Sequence, residues 1–181
     1  MRNKKLKQLI INAQFAIIIA IIAQLTLPFG LVPLTGQTFA IGIVATILSP
    51  LNSVIAILIY LLMGIIGLPV FAGFSSGIAI LFGPTGGYLV GFIFNGLVTG
   101  YLLQKTKHTT FWAIIANCAG ALVTLLFGMA WLKVAANLTW SAALSGGLVA
   151  FIIPGIIKAV AAAMVGLLIR NALLRARITD L

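Results

Sequence analysis

Long apolar runs separated by short polar breaks dominate this chain, and they decide what it can fold into. Of the 181 residues, 62% are hydrophobic and only 7% are charged. A soluble domain is about 25% charged, so this chain lacks the polar surface that a globule needs in water. A lipid bilayer removes that need, because apolar side chains then face hydrocarbon. The composition therefore predicts an all-α membrane protein.

Six apolar stretches are candidates for spanning helices, each approaching the length of about 20 residues that a span requires. Prolines lie at the breaks between them, where the proline ring disfavours a continuing helix. The predicted spans cover about residues 9–27, 34–49, 51–67, 78–103, 111–134 and 145–169. This length suits one compact bundle, so we predict a single transmembrane domain over residues 1–181.

The basic residues cluster at the ends of these stretches. Four lie within residues 2–7, two are Lys105 and Lys107, and three lie within residues 170–177, so nine of the eleven fall on one predicted side. Positive residues concentrate on the cytoplasmic side of a membrane. We therefore predict a multi-pass protein of the bacterial plasma membrane with both termini in the cytoplasm. Because the charges flank apolar runs, they indicate attraction to the lipid bilayer and no nucleic-acid partner.

Acidic residues and histidines are nearly absent, and this excludes most chemistry inside the membrane. Asp180 is the only acid, His108 is the only histidine and lies in a polar break, and Cys118 is the only cysteine. These residues cannot assemble a metal site, nor a nucleophile with a base and an orienting group. We therefore expect no metal, no resident cofactor and no enzymatic activity.

Lys158 is the residue most informative about a ligand, because it lies inside the last apolar stretch. An isolated lysine within a span costs about 2.5–3.5 kcal/mol on insertion scales. No carboxylate occurs in the membrane part of the chain, so a ligand carboxylate is one candidate partner. That interpretation predicts a small carboxylate-bearing substrate. Snorkelling to the interface and solvation by backbone groups are the alternatives.

The segments around 28–38, 68–77 and 135–144 are predicted to face outside. Residues 31–38 and 67–77, the latter leading to residues 83–88, are rich in glycine and proline. Glycine lets the backbone approach a ligand, and non-helical backbone at membrane depth is tolerated where it lines a cavity. Ordinary turns and close helix packing are the alternative. The amides of Gln37, Asn95 and Asn117 suit a neutral ligand ring such as a cyclic urea, or else form hydrogen bonds between helices.

These features together resemble the BioY family, the biotin-specific S components of energy-coupling factor transporters. The similarity extends over nearly the whole chain. It is carried by residues 67–73 (GLPVFAG), 83–88 (GPTGGY), 32–38 (VPLTGQT) and the Pro154-Gly155 pair followed by Lys158. The resemblance implies a six-helix S-component bundle with a biotin site near the outer face. It also implies a transmembrane T subunit and a pair of cytoplasmic ATPase subunits as partners.

The resemblance also predicts individual residues. The predicted substrate-binding residues are Thr35, Gln37, Gly73, Ser75, Ser76, Tyr88, Asn95, Asn117 and Lys158. Lys158 is expected to hold the biotin carboxylate in a pocket closed by the first outer loop and by residues 68–77. In the family an Ala-x-x-x-Ala face of the first helix docks the T subunit, and Ala16 and Ala20 match it. The last family motif usually reads Pro-Gly-Asp-x-x-Lys, and the Asp position here is Ile156.

The expected function is the capture of biotin at the outer face and its delivery inward when the chain is coupled to its partners. The chain has no P-loop lysine motif and no acidic residue in its membrane part to hold Mg²⁺, so ATP hydrolysis is expected from the ATPase subunits. The alternative is a stand-alone facilitator, or an importer of another small carboxylate vitamin. The absence of acids and histidines inside the membrane argues against a membrane-embedded enzyme. Lys158 and the glycine-rich outer segments argue against a purely structural membrane protein.

Overall fold

A computed structural model of the chain describes residues 2–176, with residues 2 and 3 described by their backbone alone. Among the residues used above, Arg177, Asp180 and the side chain of Arg2 lie outside the described part. The helices are α1 (Arg2–Ile22), α2 (Gln37–Ile47), α3 (Pro50–Ile65), α4 (Ala79–Phe82), α5 (Gly86–Lys105), α6 (Thr110–Ala135), α7 (Trp140–Leu144) and α8 (Ala150–Arg175). The strands are β1 (Thr26–Leu27) and β2 (Leu34–Thr35). A 3₁₀ turn covers Ala72–Phe74, and a π-helical segment, Ser145–Val149, joins α7 to α8.

Four helical stretches of the described part are long and apolar enough to cross a membrane. They are Lys4–Ile22, Gly86–Lys105, Thr110–Ala135 and Trp140–Arg175. Two further apolar helices, α2 and α3, are shorter, with 11 and 16 residues. Large apolar side chains such as Ile21 and Leu168 remain mostly exposed on the outside of the bundle, as a lipid-facing surface requires. The predicted all-α membrane bundle is confirmed, whereas the cytoplasmic placement of both termini stays a prediction.

The predicted fourth span is broken in two. Residues 78–103 were expected to form one helix, but α4 ends at Phe82 and α5 begins at Gly86. Pro84 lacks an N–H group and restricts the residue before it to an extended conformation, which Gly83 adopts with φ −76° and ψ 179°. The indole Nε1 of Trp131 donates a hydrogen bond to the Gly83 carbonyl at 3.0 Å and so fixes the break against α6.

The last span begins earlier than predicted. Its helix starts at Trp140 instead of residue 145, because the hydroxyl of Thr139 accepts a hydrogen bond from the Ala142 N–H at 3.3 Å and caps α7. The π-helical segment then carries the chain into α8 without a loop. Pro154 lies inside α8 and does not end it.

A short antiparallel hairpin follows α1, and the helical pattern of the sequence did not predict it. Strands β1 and β2 pair with Thr26 opposite Thr35. Gly30, in the turn, has φ +63°, a conformation that glycine adopts without steric cost. From the same turn Phe29 packs edge-on against Phe151 of α8, with ring centroids 5.6 Å apart. The hairpin is therefore anchored to the last helix, and α1 ends at residue 22 instead of continuing to residue 27.

The first helix turns its alanines inward. Ala16 is fully buried and Ala20 is 9% exposed, whereas Ile17 and Ile21 are 52% and 65% exposed. Small side chains let α1 lie close to its neighbours, mainly α3. The structure thus places both alanines inside the bundle, and their docking of a T subunit stays a prediction.

Helices α5 and α6 form the closest packed pair, through glycines on α6. The backbone at Gly120 lies against the side chains of Asn95 and Thr99, and the backbone at Gly128 lies against the ring of Tyr88. A side chain at either glycine would overlap these neighbours. The small residues of α6 therefore serve internal packing, and one of them holds Tyr88 in position beside the cavity described next.

Candidate ligand-binding cavity

A cavity lies between the β1–β2 hairpin, the loop from α3 to α4, and helices α2, α5, α6 and α8. Its wall is mostly apolar and aromatic, and includes Val32, Phe71, Leu89, Phe92, Leu125 and Phe151. Its polar side chains are those of Thr35, Gln37, Thr38, Ser75, Thr85, Tyr88 and Lys158. An apolar cavity with a few convergent polar groups is the usual form of a small-molecule site. Five of the nine predicted substrate-binding residues meet here: Thr35, Gln37, Ser75, Tyr88 and Lys158.

The side chain of Lys158 extends from α8 to the cavity and brings a positive charge to its wall. Phe151, Gly155 and Lys158 follow one another at the spacing that places residues on one helix face, and all three line the cavity. The Lys158 Nζ donates a hydrogen bond to the Thr35 carbonyl oxygen of β2 at 3.1 Å. Residues 2–176 contain no acidic side chain, so a neutral carbonyl is the only hydrogen-bond acceptor found for this ammonium in the described part.

The side chain of Ile156, at the Asp position of the family motif, lies outside the cavity. It is 50% exposed, and residues two apart on a helix do not face each other, so it points away from Lys158. Gly155 and Lys158 line the cavity, and Ile156 does not. The position of the family acid therefore contributes no side chain to the cavity of this chain.

The amide of Gln37 is held in a buried hydrogen-bonded chain at the start of α2. Its Nε2 donates to the hydroxyl of Tyr60 at 2.7 Å, and its Oε1 accepts from the Thr35 hydroxyl at 2.9 Å. Tyr60 is fully buried on α3. These bonds set which way the amide of Gln37 points, so it presents a defined donor and acceptor pattern to the cavity.

Tyr88 and Ser75 frame the cavity from two other sides. The Tyr88 hydroxyl donates to the Gly147 carbonyl at 2.6 Å, which links α5 to the π-helical segment. Its ring lies 6.3 Å from that of Phe151. The Ser75 hydroxyl donates to the Ala72 carbonyl at 2.8 Å and stabilises the 3₁₀ turn. Both hydroxyls retain acceptor capacity toward a ligand.

Four predicted site residues do not line the cavity: Asn95, Asn117, Gly73 and Ser76. The Asn95 amide donates to Thr124 at 3.1 Å, and the Asn117 amide donates to Thr46 at 2.8 Å. Both asparagines are 2% exposed and join helices to one another. These contacts support the alternative of hydrogen bonds between helices, and the structure does not bring the two amides to the cavity wall.

Sequence reasoning missed most of the apolar wall of the cavity and two of its polar residues, Thr38 and Thr85. Tyr88 and Phe92 lie four residues apart on α5, so the helical period links them, but nothing in the sequence shows which helix face borders a cavity. Phe71 belongs to a loop, where no period exists. Thr38 and Thr85 lie within motifs that the sequence singled out, yet neither was chosen.

Gln24 ties the end of α1 to the loop that supplies Phe71, Ala72 and Ser75. Its Nε2 donates to the Ala20 carbonyl at 2.9 Å and to the Val70 carbonyl at 3.2 Å. Its Oε1 accepts from the Phe74 N–H at 2.8 Å. Phe74 has φ +58°, a conformation that a side chain rarely adopts unless neighbouring groups hold it. Gln24 therefore positions one wall of the cavity.

Known proteins match this chain over most of its length. The model of the BioY family matches residues 1–175. A biotin transporter of Lactococcus lactis subsp. cremoris (strain MG1363) is 45% identical over 173 residues, covering 96% of this chain and 95% of that protein. A biotin transporter of Thermotoga maritima is 36% identical over 166 residues, covering 92% and 97%. The crystal structure of the S-component for biotin from an ECF-type ABC transporter superposes with a TM-score of 0.86 at 29% identity, covering 94% of each chain.

Replacing Gln24 by alanine is expected to loosen the loop without unfolding the bundle. The variant loses both hydrogen bonds to residues 70 and 74, so hydrogen exchange at residues 70–75 should become faster than in the wild type. Gln14→Ala, on the exposed side of α1, is the matched control and should leave that exchange unchanged. Equal exchange in all three proteins would show that Gln24 does not hold the loop.

Proposed function

Because the chain belongs to the BioY family, we propose that it binds biotin as the S component of an energy-coupling factor importer in the cell membrane. One observation carries the proposal: the only cationic side chain lining the cavity, within the part of the chain that the structure describes, is Lys158, and it has no acidic partner there. A carboxylate ligand supplies the missing negative charge. The relatives that match are named as transporters.

The ligand carboxylate binds Lys158 in this proposal. A hydrogen bond between two charged groups is stronger than one to a neutral carbonyl, so the carboxylate competes well against the Thr35 carbonyl for the ammonium. The low polarity of the surrounding wall strengthens the attraction further. Since Thr35 belongs to the hairpin, binding at Lys158 and the position of the hairpin are linked through one shared hydrogen bond.

The remainder of biotin is proposed to lie against the aromatic and apolar wall. Its ureido ring offers N–H donors and a carbonyl acceptor, and the amide of Gln37 is held by Tyr60 in a fixed orientation to meet them. The hydroxyls of Ser75 and Tyr88 are the further candidates for this ring. Val32 and Phe71 close the cavity from the hairpin and from the loop, which agrees with the two outer segments expected to cover the site.

Uptake against a gradient needs partner subunits in this proposal. The chain has no P-loop lysine motif and no acid in its membrane part to hold Mg²⁺, so a pair of ATPase subunits supplies the energy and a transmembrane T subunit transmits it. The Ala16 and Ala20 face of α1 remains the contact that the family resemblance suggests for the T subunit. Since both alanines are buried in the isolated chain, contact through them requires α1 to shift against its neighbours.

Removal of the ammonium is expected to weaken biotin binding. A hydrogen bond to a charged group contributes about 1.5–3 kcal/mol, so Lys158→Ala should raise the dissociation constant for biotin by about 10- to 150-fold. The measurement is calorimetry on the purified chain in detergent. Lys133→Ala is the control, because its Nζ lies over the ring of Trp140 at 5.5 Å and outside the cavity. Unchanged affinity in Lys158→Ala would refute its role, and no binding by folded wild type would refute biotin as the ligand.

Dependence on partner subunits distinguishes an S component from a stand-alone facilitator. Proteoliposomes that contain this chain, a T subunit and both ATPases should accumulate biotin above its outside concentration when ATP is present. Liposomes with this chain alone should not accumulate it. Uptake that reaches only the outside concentration and is equal with and without the ATPase subunits would favour the facilitator instead.

A further inference from the structure

One hydroxyl group in the cavity wall is left without a hydrogen-bond partner. Among the side chains that the structure describes, Thr38 Oγ1 is the one buried oxygen that makes no hydrogen bond. Thr38 also lines the cavity. A buried hydroxyl without a partner destabilises a protein relative to an apolar side chain of the same shape, so valine would suit this position better unless the hydroxyl has a use.

The position of Thr38 explains why no internal partner exists. Other helical threonines donate to the carbonyl four residues before them: Thr46 to Gly42 at 2.8 Å and Thr124 to Gly120 at 3.2 Å. Thr38 lies in the first turn of α2, and four residues before it the chain is still in β2. The Leu34 carbonyl, which would accept this hydrogen bond in a continuous helix, is therefore not in position. The Thr38 hydroxyl remains without a hydrogen-bond partner at the cavity wall.

The neighbouring polar groups are already engaged. The Thr35 hydroxyl donates to Gln37, Gln37 donates to Tyr60, and Lys158 donates to the Thr35 carbonyl. None of these groups is paired with Thr38. Threonine in a helix divides between two χ1 rotamers that exchange its hydroxyl and methyl groups. One bond rotation is thus enough to turn the hydroxyl of Thr38 toward an occupant of the cavity.

We propose that Thr38 is a ligand-binding residue, whose hydroxyl forms a hydrogen bond with a polar atom of the bound substrate. The proposal rests on the function proposed above, and it adds a specificity-determining contact to the one made by Lys158. A substrate that satisfies this hydroxyl gains a hydrogen bond at no cost to the protein interior, because no internal bond has to break. An apolar molecule of the same shape leaves the hydroxyl unpaired and binds less well.

The test compares biotin affinity and thermal stability in Thr38→Val and Thr38→Ser. Valine keeps the shape and removes the hydroxyl, so the dissociation constant should rise by about 3- to 12-fold, the loss expected for one neutral hydrogen bond. The melting temperature of the ligand-free protein should stay the same or rise, since no internal bond is lost. Serine keeps the hydroxyl and should bind biotin within about twofold of the wild type.

Thr46→Val, on the same helix, is the matched control. Thr46 is fully buried, bonds to Gly42 and Asn117, and does not line the cavity, so this variant should melt at lower temperature and keep its affinity when folded. The proposal is overturned if Thr38→Val binds as tightly as the wild type, or if Thr38→Ser loses as much affinity as Thr38→Val. Absence of biotin binding by the wild type would instead refute the proposed function itself.

Discussion

The short length of α2 is the constraint on which the cavity depends. Its 11 residues extend about 17 Å, little more than half of a hydrocarbon core of about 30 Å. The chain before it is non-helical, and such backbone is tolerated at membrane depth only where protein covers it or a cavity borders it. The hairpin, the 3₁₀ turn and the break at Gly83 fill this space. The long helices α5, α6 and α8 border the remaining sides and leave a cavity between them.

Lys158 gives that cavity its chemical character. A chain with a single acidic residue cannot neutralise a lysine in its interior, and the Thr35 carbonyl only solvates the ammonium partly. The hydrogen bond from Lys158 to the Thr35 carbonyl also holds the hairpin to α8. The ammonium that attracts an anion is therefore bonded to a segment that borders the site. Gln24 makes the corresponding link on the other side, between α1 and the loop of Phe71. The two closing segments are thus each tied to a helix by a side chain near the cavity.

The sequence predicted the helical bundle because apolar length and charge position are properties of single segments. Thr35, Gln37, Ser75, Tyr88 and Lys158, which lie in the motifs that the sequence singled out, all line the cavity, and their ligand-binding role stays a prediction. The sequence could not show which helix face meets which neighbour. Asn95 and Asn117 satisfy threonines across helix contacts, and Ala16 faces inward. No pattern within one segment distinguishes such an inward face from a lipid-facing one when both are apolar.

The central claim is that the carboxylate of the ligand supplies the counter-charge of Lys158. The most direct measurement compares the affinities of biotin and of its uncharged amide for the wild type and for Lys158→Met. The account predicts that the wild type prefers biotin by about tenfold or more, and that the preference disappears in the variant because its side chain carries no charge. An equal preference for biotin in both proteins would contradict the account, since the carboxylate would then be recognised without Lys158.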